Sequence, residues 1–366
     1  MSESIELDLS LLTTPDQVAS AARDLLLPGV RDLVGRIPPP LHTPCAYYFG
    51  WADEAGRDVA YRGPGFRAVA LVLLCAGVEG GSWRAARPVA TACALIHAYA
   101  FISDDVIDQD AARRGRASVW KAFGTATAVL AADALLMTAL AELAEHASPA
   151  GAEVRRILFG AMYGAFRAQA LEVRHQRQDD VPLQQALEVV DGKSSHWVAA
   201  CCEAGALQGE VRPERVELMR DLGWHLGRVM QLRDDVLDVF GPVAGDREPR
   251  RDDLRARKRT SVVCAALESG HPARNELAAY YRRPRPPRQD ELGHIAGLVD
   301  RCGGRDWAER QIAHHLERAR ACVRRAVQDR RLADLMCAYA DQFADQPVGD
   351  GTTPPPHTSH QTAPGP

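Results

Sequence analysis

Two stretches of this chain share one pattern: FISDDVIDQDAARRGR at residues 101–116 and MQLRDDVLDVFG at residues 230–241. Each contains two adjacent aspartates and a third three residues further on, and we call them the first and second Asp-rich motifs. On an α-helix, residues four apart project from the same face, one turn apart. The spacing therefore predicts one carboxylate pair at Asp104 and Asp108 and another at Asp234 and Asp238.

The setting of these motifs predicts a site for a hard cation. Both follow apolar segments that are typical of helices, where unpaired carboxylates are costly to bury. Mg²⁺ typically binds one or two carboxylates together with substrate phosphates. One motif alone is equally typical of a solvated helix end, but two copies with basic neighbours favour metal ions around a diphosphate. The predicted metal ligands are Asp104, Asp105, Asp108, Asp234, Asp235 and Asp238.

The rest of the chain predicts an all-α fold. From Arg67 onward, Ala/Leu/Val-rich blocks carry apolar residues three and four apart, and Gly, Pro and Asp clusters interrupt them. Alternating β-branched runs are missing from the sequence, so we expect a helical bundle with a buried central pair. We divide the chain into an N-terminal helical arm and loop (1–45), a helical catalytic domain (46–346) and a disordered Pro/Thr/His-rich tail (347–366).

Composition and charge argue against several classes of function. The net charge is −4, so a nucleic-acid surface is not expected. The acidic N-terminus lacks the order of a signal peptide, and no uncharged apolar run approaches the roughly 18 residues of a membrane helix. The sequence thus predicts a cytoplasmic protein without membrane insertion. Its 9 cysteines are scattered without a C-x-x-C pair, which is typical of small buried side chains in a reducing compartment.

Several further segments resemble motifs of the trans-type polyprenyl diphosphate synthase family, over about residues 45–265. LIHAYAFISDDVIDQDAARRGRASVWKAFG and GRVMQLRDDVLDVFG resemble its two Asp-rich blocks, and AVLAADALL resembles the segment after the first. AQALEV resembles G-Q-x-x-D-L, with Ala168 and Glu172 for Gly and Asp. GKSSHW resembles the K-T site with Ser194 for Thr, and DLRARKRT resembles D-L-x-x-G-K-x-T with Arg257 for Gly.

The resemblance implies an isoprenoid synthase-type helical bundle with a central cavity between two Asp-rich helices, in a homodimer. It implies a Mg²⁺-dependent reaction, with three ions, that joins an allylic prenyl diphosphate to isopentenyl diphosphate and gives a C15–C20 product. Tyr99, five residues before Asp104, would form the floor of the cavity. The implied ligands are Arg113, Lys193 and Lys258 for the allylic diphosphate, Gln231 beside the second metal cluster, and His97, Arg114 and Arg67 for isopentenyl diphosphate.

One family motif is degenerate here. In place of Gly-Gly-Lys-Arg-x-Arg-Pro, which binds isopentenyl diphosphate, the chain has RGPGFRAVALVLL. An ungapped match puts Gly65 at the Lys and Ala68 at the final Arg, and a shift by one residue recovers only Arg67. Ser103 also replaces a usual His, and Trp197 places an aromatic ring near Lys193.

These departures favour an alternative, a terpene synthase (cyclase or lyase) on the same fold that releases pyrophosphate from farnesyl or geranylgeranyl diphosphate. A third reading, a non-catalytic partner subunit, predicts eroded Asp-rich motifs. All six aspartates are present, which argues against it.

Overall fold

The computed structural model describes residues 12–59, 66–241 and 251–345, and these residues form a bundle of α-helices joined by short loops. The first half contains α1 (Pro15–Gly35), α2 (His42–Tyr48), α3 (Arg67–Ala76), α4 (Trp83–Asp108), α5 (Val119–Phe123), α6 (Thr125–Glu145), α7 (Gly151–His175) and α8 (Leu183–Val190). The second half contains α9 (His196–Gln208), α10 (Pro213–Phe240), α11 (Asp252–Arg255), α12 (Ser261–Leu267), α13 (Arg274–Arg282), α14 (Gln289–Arg301), α15 (Gly304–Ala326) and α16 (Arg330–Asp345).

Local sequence explains where these helices begin. At α1, the Thr14 hydroxyl accepts a hydrogen bond from the Gln17 backbone and the Gln17 side chain accepts one from the Thr14 backbone, which together form a capping box. Pro15 occupies the first turn, where its missing N–H costs no hydrogen bond. Ser82 caps α4 by accepting a hydrogen bond from the Arg84 backbone at 3.2 Å.

The centre of the bundle is the contact between α3 and α9, which we call the α3–α9 seam. Every residue of α3 after Arg67 is buried. Its backbone lies directly against Gly205 of α9 and against Gly209, the residue that follows α9: a β-carbon on Gly205 would be 2.1 Å from the Val72 carbonyl oxygen, and one on Gly209 would be 2.1 Å from that of Ala76. Because β-carbons do not approach backbone this closely, only glycine permits this spacing. The pair α3 and α9 matches the predicted buried central pair.

Two long helices carry the Asp-rich motifs around this centre. The helix α4 packs on α3 and α6 and ends at Asp108, so the first motif occupies its last two turns. The helix α10 packs on α9 and α15 and ends at Phe240, just beyond the second motif. Between α8 and α9 the chain makes one wide helical turn, Asp191–Ser195, which we call the π-turn. It packs against both α7 and α10.

The predicted all-α class is confirmed, with one small addition. A two-stranded antiparallel hairpin, Ala112–Arg113 with Arg116–Ala117, follows the first Asp-rich motif. All nine cysteines are free, and eight of them are buried, as the sequence indicates. The helix of the proposed arm, α1, packs on α3, α4 and α16. The division into arm, domain and tail stays a prediction, and residues 347–366 lie outside the described part of the chain.

Two of the described helices are long and apolar enough to cross a membrane by length and composition, Trp83–Asp108 and Thr125–Glu145. The apolar stretch of the first is 61% buried within the bundle, and that of the second is 33% buried. The first is therefore a core helix. The second, α6, has a partly uncovered apolar face.

Candidate active site

The aspartate side chains of the first Asp-rich motif point in two different directions. Asp104 and Asp108 lie one turn apart on α4 and are partly exposed, whereas Asp105 is buried. Asp105 accepts a hydrogen bond at 2.7 Å from Nε of Arg113, which the hairpin turns back toward the helix. The middle aspartate thus holds the hairpin, while its two neighbours border the cleft.

The second motif is arranged in the same way. Asp235 is buried, and its two oxygens accept hydrogen bonds from Gln231 Nε2 at 3.0 Å and from Ser261 Oγ at 3.2 Å. Asp238 accepts backbone N–H groups of Asp252 and Asp253 at 3.1 and 3.0 Å, and so it fixes α11 against the end of α10. Gln231 lies where the sequence predicts it, one turn before Asp235.

Two lysines lie between the motifs. Lys193 Nζ is 2.9 Å from Glu172 Oε2 and 3.6 Å from Asp104 Oδ2. Lys258 Nζ is 2.7 Å from Asp108 Oδ2 and 3.1 Å from Asp253 Oδ1. Lys258 follows the second motif in sequence but contacts the first, and Asp253 beside it donates its backbone N–H to Asp238, so the structure brings the two motifs close to each other.

The charges in this cleft perturb one another strongly. Burial opposes ionisation of Lys193, but the carboxylates of Asp104 and Glu172 raise its pKa above the usual value. Burial raises the pKa of Asp108 to about 6, although Lys258 beside it acts in the opposite direction. Burial and the nearby Asp253 carboxylate raise the pKa of Asp238 to about 8. Strongly perturbed groups gathered in a cleft are typical of a functional site.

Two arginines and a histidine surround Phe101, a residue that the sequence analysis missed. The guanidinium of Arg113 lies 4.6 Å from the Phe101 ring centre and that of Arg114 lies 5.8 Å from it. The His97 ring is 4.7 Å from the same ring. Burial and the two arginines lower the pKa of His97 to about 4, so the imidazole is neutral at pH 7. The structure thus brings together three of the side chains predicted to bind the diphosphates, His97, Arg113 and Arg114.

The hairpin places these arginines. Its two turn residues, Arg114 and Gly115, both have positive φ (51° and 75°), as the tight two-residue hairpin connection requires. Arg114 Nη2 donates to the Tyr48 hydroxyl at 3.2 Å, and Arg116 lies 4.0 Å above the Tyr47 ring. Tyr48 and Arg116 line a cavity that they share with Arg113 and Arg114. Sequence reasoning missed both, although RRGR contains a third arginine.

Two other predicted residues, Arg67 and Tyr99, have contacts outside the two groups described above. Arg67 begins α3, and its backbone carbonyl accepts the Tyr339 hydroxyl at 2.9 Å. Gly65 and Pro64, the positions of the degenerate motif, lie outside the described residues. Tyr99 is partly buried on α4, and its ring meets the edge of Phe166 on α7, with ring centres 5.8 Å apart. Phe166 is a neighbour of the predicted cavity floor that the sequence did not indicate.

The carboxylates suit a metal ion whose remaining coordination positions would be filled by a bound ligand. Among the described residues, no three Asp, Glu, His or Cys side chains converge as a preformed metal site requires. However, Asp105 Oδ2 and Asp108 Oδ1 are buried oxygens without a hydrogen-bond partner. Buried carboxylate oxygens of this kind call for a cation or a donor. Oxygen donors from few side chains suit Mg²⁺ that also binds phosphate oxygens.

Comparison with known proteins agrees with this geometry. The polyprenyl synthetase family model matches residues 51–298, which include both Asp-rich motifs and both lysines. The chain belongs to the polyprenyl synthetase family. Among its relatives is a (2E,6E)-farnesyl diphosphate synthase of Mycobacterium tuberculosis, 32% identical over 323 residues, which are 87% of this chain and 90% of that protein.

Two further relatives support membership in the polyprenyl synthetase family. A geranylgeranyl diphosphate synthase of Mycobacterium tuberculosis is 33% identical over 308 residues, 81% of this chain and 86% of that protein. The crystal structure of a polyprenyl synthetase from Streptomyces coelicolor A3(2) superposes with a TM-score of 0.82 at 29% identity, covering 90% of this chain and 99% of that one. The predicted family and enzyme class are therefore confirmed.

Proposed function

We propose that this chain is a trans-prenyltransferase that condenses an allylic prenyl diphosphate with isopentenyl diphosphate and forms C15–C20 products. The observation that carries the proposal is the placement of Lys193 and Lys258 between the two Asp-rich motifs. A diphosphate bound there meets two cations that already interact with carboxylates of the first motif. The relatives named above make products of the same size class, which supports the C15–C20 range.

Different residues bind the two substrates. Lys193, Lys258 and Arg113 hold the leaving diphosphate, because compact or planar cations suit phosphate oxygens. Mg²⁺, three ions in our proposal, would be held by Asp104, Asp105, Asp108, Asp234, Asp235 and Asp238, and it stabilises the negative charge of the leaving group. Asp105 and Asp235 also fix Arg113 and Gln231, so the other aspartates of each motif, which are less deeply buried, are the primary candidates.

The second substrate binds on the hairpin side of the cleft. His97 and Arg114, with Arg67 at the start of α3, hold the diphosphate of isopentenyl diphosphate. The allylic C1–O bond breaks with its electron pair on the departing diphosphate, and the isopentenyl double bond attacks C1. A proton then leaves C2 of the isopentenyl unit for the released diphosphate, which forms the new double bond. Tyr99 and Phe166 border the space for the growing chain.

A terpene synthase is the second candidate. It is favoured by the sequence of residues 62–68, which contains no lysine where the family binds isopentenyl diphosphate. Trp197, which lies four residues after Lys193 and is buried, adds an aromatic ring on the same segment. Such an enzyme needs only the part of the cleft that binds the allylic diphosphate. Both Asp-rich motifs and both lysines of that part are present.

One experiment separates the candidates. The purified protein is incubated with Mg²⁺ and geranyl, farnesyl or geranylgeranyl diphosphate, each with and without isopentenyl diphosphate. Longer diphosphates that require isopentenyl diphosphate support elongation. A hydrocarbon or alcohol formed without it supports the terpene synthase, and no product supports a non-catalytic subunit. Asp104→Ala or Asp234→Ala should reduce turnover by orders of magnitude while the helical circular dichroism is kept, and near-normal turnover would remove the metal-cluster assignment.

We further propose that the protein is a cytoplasmic homodimer that does not insert into membranes. Its exposed large apolar side chains gather on α6 and α7, with one on α4. An apolar surface of this kind is typical of a protein interface. A second copy that covers this surface would also bury the open face of α6. These exposed residues are Ile107, Val129, Leu130, Met137, Phe159, Tyr163 and Phe166.

A further inference from the structure

Lys193 projects from an unusual piece of backbone. The π-turn, Asp191–Ser195, inserts one wide turn between α8 and α9, and its hydrogen bond runs from the His196 N–H to the Asp191 carbonyl. Wide turns of this type are rare and often occur at functional sites, because they redirect a side chain at a cost in helix geometry. The direction of Lys193 therefore depends on whatever fixes the turn.

Besides the contacts of Lys193 itself, the turn has a charged contact to α10. Arg228 donates from Nε to Asp191 Oδ1 and from Nη2 to Asp191 Oδ2, both at 2.7 Å. This two-bond geometry sets the orientation of both groups, which a single contact does not do. Asp191 also accepts a hydrogen bond from Ser195 Oγ at 3.2 Å, so its carboxylate joins the first and last residues of the turn to α10.

Arg228 is itself supported from behind. Its guanidinium lies 4.5 Å from the Trp224 ring centre, and Nη1 is 3.5 Å from Nε2 of His315 on α15. His315 is buried and pairs with His225 through their Nδ1 atoms at 2.9 Å. Trp224, His225 and His315 thus leave the guanidinium little freedom to swing away from Asp191.

The turn also packs without slack against its neighbours. A β-carbon on Gly227 of α10 would lie 2.5 Å from the Ser195 α-carbon, and one on Gly192 would lie 2.6 Å from the Ala168 β-carbon of α7. Ser194 Oγ donates to Gln231 Oε1 at 2.7 Å. Because the backbone of α10 at Gly227 lies directly against the turn, a displacement of Asp191 would be transmitted along the turn to Lys193.

We propose that Asp191 and Arg228 are positioning residues whose ion pair holds the π-turn so that Lys193 faces the first Asp-rich motif and a bound diphosphate. Neither residue touches the diphosphate in this proposal; both act through Lys193. The inference rests on the proposed function, since it assumes that Lys193 binds the diphosphate.

The test uses the full chain and inorganic pyrophosphate with Mg²⁺ as the probe, in calorimetric titrations. We expect Arg228→Lys and Asp191→Asn each to weaken pyrophosphate binding roughly tenfold to a hundredfold, the value of one charge-assisted contact. In a Lys193→Ala background, the same substitutions should cause no further weakening. The matched control is the interhelical pair Arg320–Asp341, with its closest atoms 2.8 Å apart. Arg320→Lys and Asp341→Asn should lower the melting temperature and leave pyrophosphate affinity unchanged.

Two results overturn the inference: wild-type affinity in both Arg228→Lys and Asp191→Asn, or an undiminished effect of either substitution in the Lys193→Ala background. Because Asp191→Asn keeps the size of the side chain, it tests the idea even if Arg228→Lys fails to fold. The proposed function fails separately, when the wild-type protein binds pyrophosphate but forms no product from geranyl and isopentenyl diphosphates. Affinity still decides the positioning role in that case.

Discussion

Lys258→Met tests whether charge holds the first Asp-rich motif against α11, the helix whose backbone binds Asp238 of the second motif. The side chain of Lys258 is 12% exposed and that of Asp108 is 7% exposed, so water screens this pair little. At an effective dielectric constant of about 20, the contacts to Asp108 and Asp253 (2.7 and 3.1 Å) correspond to about 6 and 5 kcal/mol of attraction, before desolvation is subtracted. Methionine keeps the apolar length of the side chain and removes only the charge.

Removal of one partner of a buried pair typically costs about 3–5 kcal/mol. We therefore expect the free energy of unfolding to fall by about that amount in urea titrations followed by circular dichroism. The measurement belongs at pH 8, because burial raises the pKa of Asp108 to about 6 and the carboxylate is ionised there. Lys121→Met is the control: Lys121 is exposed, and its change should stay within about 0.5 kcal/mol. A loss below about 1 kcal/mol for Lys258→Met would refute the idea that a buried cation links the first Asp-rich motif to α11.

Tyr99→Ala should lengthen the longest product, because it opens space beside Phe166; chromatography of the products checks this, and an unchanged distribution would reduce Tyr99 to a packing residue. Gly65→Lys, or Pro64→Lys in the alternative register, should lower the KM for isopentenyl diphosphate roughly tenfold to a hundredfold and leave the allylic KM unchanged, as one restored phosphate contact predicts. Since burial lowers the pKa of His97 to about 4, the unfolded chain binds its proton first, and stability falls as the pH drops from about 6.5 to 4. His97→Gln should reduce that slope in urea titrations, and an unchanged slope would contradict a buried, neutral imidazole.

The helical class was predictable because apolar residues repeat with the helical period over long segments, and several helix ends carry Gly, Pro or a capping side chain. The hairpin after the first Asp-rich motif was not predicted. Its turn places Arg114 at φ 51°, a conformation that arginine seldom adopts by itself. The hydrogen bond to Tyr48, 66 residues earlier in the chain, accompanies this conformation and is not visible in the local sequence.

The site was predictable as a set of residues but not as an arrangement. Spacing places Asp104 and Asp108 on one face, yet the rotation of α4 in the bundle decides that Asp105 points inward. The partners of the lysines also come from elsewhere: Glu172 from α7 holds Lys193, and Asp253 holds Lys258. Such contacts depend on how helices pack, and the local pattern of a single sequence does not determine that.

The α3–α9 seam bears on how this enzyme can change during evolution or directed mutagenesis. Where two backbones touch, as at Gly205 and Val72, even alanine forces the helices apart, because no side chain there can move aside. In a random library, we therefore expect most substitutions of Gly205 or Gly209 to prevent correct folding. The contact between Tyr99 and Phe166, at the proposed floor of the cavity, joins two rings rather than two backbones, so it can tolerate exchange. Under the proposed function, variation in product length can accumulate at Tyr99 and Phe166 while the seam stays fixed.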